Sequence, residues 1–473
     1  MALRSVPIAP ASPERLRPLV GDRYARVADG IVRARELIGE RIVWQVNSTA
    51  TGGGVVELLS GLLPYARGAG IDARWLVIEG SPEFFRLTKR IHNLLHGAPG
   101  DGDGLRPADR ELYRGALSAH GEELGTLVRR GDIVMLHDPQ TAGLCAAVRE
   151  AGAHVVWRCH VGVDEPNPHA REAWEFLRPE IEPAHALVFS MAQFVWEGLD
   201  PELVRIIPPS IEALSAKNQD IDADAVEAIL VASGLSSGPA RGVPEYTRRD
   251  GEPARVGTRA RTWEARPVRA REPLIAQVSR WDRLKDPAGV LEGFARHTRR
   301  DPGGHLLLAG PDTEAVADDP EGDEVLAEIR ARREALPEEV RGRVHLAALP
   351  MDDVEENAAI VNAIQRRSTV VVQKSFAEGF GLTVAEAMWK GAAVIASRRG
   401  GIQEQIIDDE TGVLVDPADL ESFGAAVDRL LGDHRLVVRL GANARERVRG
   451  NYLADRHLLQ YLALIAELLE AED

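Results

Sequence analysis

The sequence has few cysteines and no long apolar run. Its 473 residues include only two cysteines, Cys145 and Cys159. Two thiols rule out a disulfide framework and are too few for a zinc site of four thiolates, so a reducing cytoplasm is the expected setting. No stretch approaches the roughly 20 uninterrupted apolar residues of a membrane span. The start, Met1 to Pro18, lacks the apolar core of a signal peptide. We therefore expect no membrane partner.

Positive charge is also scarce relative to negative charge. The chain has 57 Lys and Arg against 73 Asp and Glu, for a formal net charge of −16. This balance argues against a general nucleic-acid binder, because phosphate backbones attract basic surfaces. The sequence has no His-Glu-x-x-His, paired-cysteine or EF-hand motif and no Gly-x-Ser-x-Gly elbow. We therefore predict neither a structural metal nor an α/β-hydrolase.

What the chain does have is an alternation of short apolar runs with helical periods, which predicts parallel sheets covered on both faces. Residues 1–40 suggest a helical lead-in, and 417–450 and 452–472 suggest two long helices. The predicted strands in the first half are Ile42–Val46, Trp75–Ile78, Ile133–Leu136, His154–Cys159, Ala186–Phe189 and Val204–Ile207. Those in the second half are Leu274–Val278, His305–Ala309, Val344–Ala347, Thr369–Gln373, Ala393–Ala396 and Gly412–Val415.

The pattern predicts an α/β fold with two Rossmann-like domains. The first spans 1–215 and the second 273–451, and a helix over about 452–473 is expected to pack back on the first. Residues 216–272 are interpreted as a linker or an excursion, because 235–272 is rich in Arg, Gly and Pro; a disordered basic loop is the alternative. Ligands of such sheets bind beyond the carboxyl ends of the strands, and the candidate residues lie at those ends.

A glycine cluster, Gly52-Gly53-Gly54, follows the first predicted strand and precedes a helix. Glycine permits positive φ and close backbone approach, and a helix start offers free N–H groups to a phosphate or a sugar hydroxyl. The alternative is a tight strand–helix turn without a ligand. The spacing matches neither the dinucleotide fingerprint nor the P-loop.

Two cations, Arg280 and Lys285, follow the strand that opens the second half. Arg as a fork and Lys as a point charge are suited to clamping a diphosphate. The alternative is a solvated loop in which they form ion pairs with Asp282 and Asp286.

Two carboxylates, Glu378 and Glu386, follow the predicted strand Thr369–Gln373. Glu378 falls in a glycine-bounded loop and Glu386 in the next helix, so both can reach a ligand lying along the helix start. The amides near Gly381 and Leu382 offer an anion site there. Surface carboxylates beside a turn are the alternative.

Polar residues also follow two strands of the first half. His160 ends the string Trp157-Arg158-Cys159-His160, and Asp138 and Gln140 follow His137. Such positions favour ligand contact in this architecture, but a satisfied, partly buried histidine is an equally good interpretation of His160 alone.

Together these strings resemble the GT-B glycosyltransferases. The spacing of Glu378 and Glu386 is that of the E-x7-E motif of retaining family-4 enzymes. The strings around Gly52, His137, His160, Ile207-Pro208-Pro209-Ser210-Ile211 and Lys217-Asn218 resemble the trehalose glycosyltransferring synthases. Retaining trehalose phosphorylases resemble the same strings. The resemblance runs from about residue 40 to about 460.

The resemblance implies a GT-B fold whose two domains face a deep cleft, and the transfer of glucose from a nucleoside diphosphate glucose to glucose, giving α,α-trehalose. It implies no required cofactor, although stimulation by Mg²⁺ is compatible with it, and small-molecule partners. We add the expectation of a homodimer for a soluble enzyme. The implied catalytic residues are His160, Arg280, Lys285 and Glu378. The implied donor-binding residues are Gly53, Gly54, Phe380, Gly381, Leu382 and Glu386, and Asp138 and Gln140 are the acceptor candidates.

The sequence departs from the family pattern at two positions. Gly162 stands where many members carry an acidic residue, and Gln403 stands where proline is common. The first departure leaves the acceptor open. The alternatives are therefore a trehalose phosphorylase, a family-4 enzyme with another sugar-like acceptor, and a sugar-nucleotide binding protein without turnover.

Overall fold

A computed structural model describes residues 3–100, 102, 104–297, 304–315 and 320–471. The chain forms two compact units, Met1–Ser210 with Tyr452–Asp473 and Ile211–Asn451. Each contains a mainly parallel seven-stranded sheet, which confirms the predicted α/β class with two Rossmann-like domains. The last two residues of the helix predicted over 452–473 lie outside the described residues.

The sheet of the first unit has one antiparallel strand at its edge. Its strands are β1 (Leu3–Val6), β2 (Val43–Asn47), β3 (Ala73–Ile78), β4 (Ile133–His137), β5 (His154–Cys159), β6 (Ala186–Phe189) and β7 (Val204–Ile206). Their order is β1-β3-β2-β4-β5-β6-β7, and only β1 runs antiparallel to its neighbour. The order reverses between β2 and β4, and ligands of open α/β sheets bind at such a switch point.

Strand β1 corrects the prediction that residues 1–40 are helical. Of its four residues only Leu3 is buried, so no apolar run marks it. The helices of this part of the chain are α1 (Arg17–Val20), α2 (Tyr24–Ile38), α3 (Gly54–Gly68), α4 (Pro82–Leu95), α5 (Pro107–Leu127), α6 (Cys145–Glu150) and α7 (Pro168–Ile181). Three of them begin with proline, whose fixed φ suits a first helical turn.

The sheet of the second unit repeats this plan. Its unit contains β8 (Ser236–Ser237), β9 (Glu245–Thr247), β10 (Pro253–Arg255), β11 (Arg261–Trp263), β12 (Val268–Arg269), β13 (Leu274–Val278), β14 (His305–Pro311), β15 (Val344–Leu349), β16 (Val370–Gln373), β17 (Ala393–Ser397) and β18 (Val413–Val415). The main sheet has the order β11-β15-β14-β13-β16-β17-β18, with β11 antiparallel to β15. Its switch point lies between β13 and β16.

Residues 216–272 lie within the second unit, where β11 adds an edge strand to the main sheet. The helices are α8 (Ala223–Ala232), α9 (Pro287–His297), α10 (Pro320–Glu334), α11 (Glu338–Arg341), α12 (Val354–Arg367), α13 (Leu382–Trp389), α14 (Ile402–Gln405), α15 (Leu420–Gly432) and α16 (His434–Asn451). The single helix expected over 417–450 is thus two helices, broken at Asp433. Among the described residues, no helix is both long and apolar enough to span a bilayer.

The last helix, α17 (Ala454–Glu470), belongs to the first unit and packs against α2. Its buried face carries Leu458, Tyr461, Leu462 and Ile465 at helical spacing. The roles of the two units in binding acceptor and donor stay predictions.

Candidate active site

The loop after β13 carries Arg280 and Lys285 at the switch point of the second unit. Asp282 caps the short 3₁₀ turn Arg283–Lys285, and its Oδ1 accepts a hydrogen bond from the Leu284 amide at 2.7 Å. Gln277, a residue of β13, donates from Nε2 to the Lys285 carbonyl at 2.7 Å. The backbone at Lys285 is therefore fixed directly to the sheet.

Lys285 and Glu378 form an ion pair across this switch point. Lys285 Nζ lies 2.6 Å from Glu378 Oε2, and the two side chains are only 16% and 13% exposed. Ser375 Oγ and Gln373 Nε2 approach the same oxygen at 3.3 and 3.4 Å. The structure thus brings together two of the residues that the sequence singled out, one from each side of the switch.

Arg280 lies in the same loop but is far more exposed. Its side chain is 63% exposed, and its Nη2 donates to Asp282 Oδ2 at 2.9 Å. This contact is one of the two ion pairs named as the alternative to a diphosphate clamp. The second differs, because Asp286 accepts instead from Lys374.

Lys374 was missed in the sequence. It is fully buried, and its Nζ donates to Asp286 Oδ2 and, at 2.5 Å, to the Pro417 carbonyl. Asp286 adopts a left-handed φ of 51° and accepts from the Gly289 amide at 2.9 Å at the start of α9. Lys374 therefore anchors the residue that follows Lys285.

The loop before α13 is shaped by backbone contacts. Gly381 has a φ of 84° at the N-cap of the helix, and Gln405 Nε2 donates to the carbonyls of Phe380 and Gly381. A Cβ on Gly400 would lie 1.8 Å from the Glu378 carbonyl oxygen, so only glycine lets the two chain segments approach this closely. Phe380 is buried and Leu382 half-buried at the helix start.

Glu386 lies one turn further along α13 and is nearly fully buried. Its Oε1 lies 3.0 Å from Lys217 Nζ, while Oε2 has no hydrogen-bond partner. Lys390 donates to the Glu386 carbonyl at 3.1 Å, and burial lowers the pKa of Lys390 to about 7. The carboxylates of Glu378 and Glu386 are therefore each paired with a different lysine, Lys285 and Lys217 respectively.

Gly53 and Gly54 are exposed at the N-terminus of α3 in the first unit. Gly52 and Gly53 have φ values of 70° and 85°, and a Cβ on either would meet nothing within 4 Å. Gly52 and Gly53 are thus required by their positive φ rather than by a lack of space for a side chain. The loop after β2 is tied down by Asn47, which accepts from Trp75 Nε1 at 2.8 Å and donates to the Thr49 carbonyl at 2.7 Å.

His160 and Asp138 come together after β5 and β4. The His160 amide donates to Asp138 Oδ1 at 2.8 Å, and burial raises the pKa of Asp138 to about 7. The His160 ring lies 3.0 Å, Nε2 to Nδ1, from His137, whose Nε2 lies 2.7 Å from Gln45 Oε1. Burial lowers the pKa of His137 to about 3 and that of His160 well below its usual value, so both rings are neutral at pH 7. Gln45 was missed as a part of this network, whereas His137 opens the string that the sequence had indicated; Gln140 lies half-buried in the adjoining turn.

The departure at Gly162 has a structural counterpart. A Cβ at this position would lie 2.2 Å from Cγ of Phe194, a side chain that is itself buried. In this chain an aromatic ring therefore fills the space that a side chain at position 162 would enter.

Neither cysteine points to metal or redox chemistry. Cys145 and Cys159 are free and buried, and burial raises the pKa of both thiols. Among the described residues, no three His, Cys, Asp or Glu side chains are grouped so as to hold a metal ion.

Comparison with known proteins finds a family match in each unit and relatives that match along most of the chain. Residues 45–196 match the trehalose synthase N-terminal domain, and residues 261–447 match glycosyl transferases group 1. The trehalose synthase of Pyrococcus horikoshii is 36% identical, over 92% of each chain. The trehalose synthase of Rubrobacter xylanophilus is 33% identical, again over 92% of each. A trehalose phosphorylase of Pleurotus pulmonarius is 26% identical over 85% of this chain and 54% of its own length.

Solved structures confirm the GT-B fold at low identity. A trehalose-6-phosphate synthase, OtsA, has a TM-score of 0.66 at 13% identity, covering 90% of this chain and 99% of that one. A sucrose-phosphate synthase from Thermosynechococcus elongatus has a TM-score of 0.60 at 20% identity, covering 91% and 100%. The fold, the two matched domains and the full-length relatives agree: the chain belongs to the trehalose synthase family, and it is a trehalose-related glycosyltransferase.

Proposed function

We propose that the protein is a retaining glycosyltransferase that moves glucose from a nucleoside diphosphate glucose to glucose, forming α,α-trehalose. The observation that carries this proposal is the pairing of Lys285 with Glu378 at the switch point of the second sheet, with Arg280 in the same loop. Two cations there suit an anionic diphosphate, and a carboxylate beside them suits a sugar hydroxyl. The trehalose synthases that match along nearly the whole chain support the same reaction.

In the proposed reaction, the bond between C1 of glucose and the diphosphate oxygen breaks while the acceptor hydroxyl attacks C1 on the same face. The acceptor proton passes to an oxygen of the departing diphosphate. Negative charge grows on that diphosphate, and Lys285, Arg280 and the amides at the start of α13 stabilise it. Preorganised donors of this kind contribute on the order of 10²–10³ in rate.

The remaining roles in the proposal are those that the family resemblance implies. Glu378 accepts a hydrogen bond from the donor sugar, and Phe380, Gly381 and Leu382 offer backbone groups beside it. Glu386 accepts from the ribose through its unpartnered Oε2. In the first unit, His160 contacts the transferred glucose and Gly53 and Gly54 contact phosphate oxygens. Asp138 and Gln140 are assigned to the acceptor.

A second candidate is a retaining trehalose phosphorylase, favoured by the phosphorylase relatives. Phosphate would then take the place of the nucleoside diphosphate, so Glu386 would have no ribose to bind. Replacing Glu386 by Ala distinguishes the two, because it weakens a nucleotide-sugar reaction far more than a phosphate-dependent one.

A product assay tests the proposal. The purified protein is offered UDP-, ADP-, GDP- or TDP-glucose with glucose, and separately glucose 1-phosphate with glucose, each with Mg²⁺ and with EDTA. NMR identifies an α,α-1,1 linkage. Trehalose from a nucleotide donor supports the proposal and names the base; trehalose from glucose 1-phosphate alone makes the protein a phosphorylase. Donor hydrolysis without disaccharide points to a different acceptor, and Gly162 is then the first position to examine.

A further inference from the structure

Lysine is rare in this chain, and it is concentrated in one place. Only five of its 57 Lys and Arg residues are lysines: Lys89, Lys217, Lys285, Lys374 and Lys390. All but Lys89 belong to the second unit. Each of those four contacts a residue of the candidate donor site or its direct neighbour. An ammonium is a compact point charge, whereas guanidinium is a broad planar fork. In a chain that otherwise uses arginine, this distribution indicates that these positions need the smaller cation.

Lys285 has a role in the proposed reaction, and Lys374 anchors Asp286, the residue after Lys285. Lys217 instead contacts Glu386. Lys217 Nζ lies 3.0 Å from Glu386 Oε1. The Lys217 side chain is 24% exposed and that of Glu386 only 3%. A carboxylate this deeply buried needs a counter-charge, because desolvation penalises an unpaired ion strongly. Lys217 supplies that charge.

The backbone around Lys217 is held by α13, the helix that carries Glu386, and by α12, the helix before it in the chain. Trp389 Nε1 of α13 donates to the Asn218 carbonyl at 3.2 Å, and Lys390 Nζ donates to Asn218 Oδ1 at 2.8 Å. From α12, Asn362 Nδ2 donates to the carbonyls of Ala216 and Gln219 at 3.0 and 2.9 Å. Hydrogen bonds to the residues before and after Lys217 therefore hold its backbone in place beside Glu386.

The two carboxylate oxygens of Glu386 have different surroundings. Oε1 faces the ammonium, and Oε2 is buried with no hydrogen-bond partner. A buried acceptor without a partner is costly, and a hydroxyl donor from a ligand would satisfy it. We propose that Lys217 is a positioning residue for nucleotide recognition: it fixes the Glu386 carboxylate so that Oε2 accepts from the ribose diol of the donor. This inference rests on the proposed function.

Calorimetry with paired ligands tests it. UDP, ADP and GDP are compared with their 2′,3′-dideoxy counterparts, using the base that the wild type binds. A hydrogen bond to a charged group contributes about 1.5–3 kcal/mol, so the wild type is expected to prefer the ribonucleotide by roughly 10- to 100-fold. Glu386→Gln is expected to lose most of that preference.

Lys217→Met is expected to lower ribonucleotide affinity about tenfold or more and to leave dideoxynucleotide affinity nearly unchanged. A role confined to folding would lower both affinities together. The matched control is Lys89→Met, the same change at an exposed lysine in α4, which should alter neither affinity. If the Met variant does not fold, Lys217→Ala repeats the measurement.

Two results overturn the inference. Equal losses for both ligands in Lys217→Met would assign Lys217 to folding or to a phosphate contact instead of ribose recognition, and unchanged affinity for both would remove the role altogether. Failure of the proposed function looks different, because the wild type itself would then bind none of the nucleotides or show no ribose preference.

Discussion

Replacing Lys285 by Ala should separate a catalytic loss from a stability loss. At 2.6 Å, two unit charges attract by about 6 kcal/mol at an effective dielectric constant of about 20. Desolvation offsets most of this, but removing one member takes the ionic partner away from the other, which costs about 3–5 kcal/mol at a buried site. Gln373 and Ser375 still approach Glu378 Oε2, so we expect the free energy of unfolding to fall by about 2–3 kcal/mol.

Catalysis should fall by more than this destabilisation explains. We expect kcat for trehalose formation to drop about 10²–10³-fold, measured well below the melting temperature of the variant, where all of it is folded. The double variant Lys285→Ala with Glu378→Gln also removes the negative charge of Glu378, so it should be more stable than Lys285→Ala alone. An unchanged kcat would refute the clamp, and a double variant less stable than the single would refute the analysis of the pair.

Three further changes have distinct expected results. Arg280→Ala should lower kcat by about 10²–10³ with little change in melting temperature, because the Arg280 side chain is 63% exposed and its ion pair with Asp282 contributes about 1 kcal/mol or less. Gly381→Ala should weaken donor binding in calorimetry, since its φ of 84° strains any other residue and its Cβ would lie 3.2 Å from Glu378 Cγ. The pKa of His137, about 3 when folded, lies below its unfolded value of about 6.5. The contribution of His137 to the free energy of unfolding is therefore full above pH ~6.5 and falls by about 1.4 kcal/mol per pH unit between pH ~6.5 and about 3, and His137→Asn should remove that part of the slope in denaturant titrations.

The strands that position the site could be predicted because each is a buried apolar run. The run Leu274–Val278 coincides with β13, and the run Thr369–Gln373 begins one residue before β16. The edge strands β1 and β11 could not be predicted, because Leu3 is the only buried residue of β1 and all three residues of β11 are half-buried. An edge strand with so little buried surface carries no periodic signal.

For the candidate site too, the sequence predicts some residues and not others. The sequence indicated Lys285 and Glu378 because each lies in a short segment directly after a predicted strand. Two other contacts of the candidate site join residues that are distant in sequence: Lys374 reaches Asp286 across 88 residues, and His137 reaches Gln45 across 92. The scarcity of lysine is the compositional signal that could have indicated Lys374, because a rare residue type stands beside the motif.

The two units share a plan but differ in the charge at their switch points. In the first, the groups in or directly after β2, β4 and β5 are the neutral rings of His137 and His160, the amide of Gln45, and Asp138, whose pKa burial raises to about 7. In the second, the loops after β13 and β16 carry the charged side chains of Arg280, Lys285 and Glu378.

This difference in charge matches the two kinds of ligand in the proposed reaction. A diphosphate needs cations, whereas a sugar hydroxyl can be bound without them, by neutral donors and acceptors or by a carboxylate. The first unit does bury one cation beside its histidine rings, Arg158, but its Nη2 donates to the Ile207 carbonyl at 2.8 Å and its Nε points at the His160 ring. Charge therefore supports assigning the nucleotide to the second unit and the acceptor to the first, since among the described residues only the second unit presents an arginine and a lysine together at its switch point.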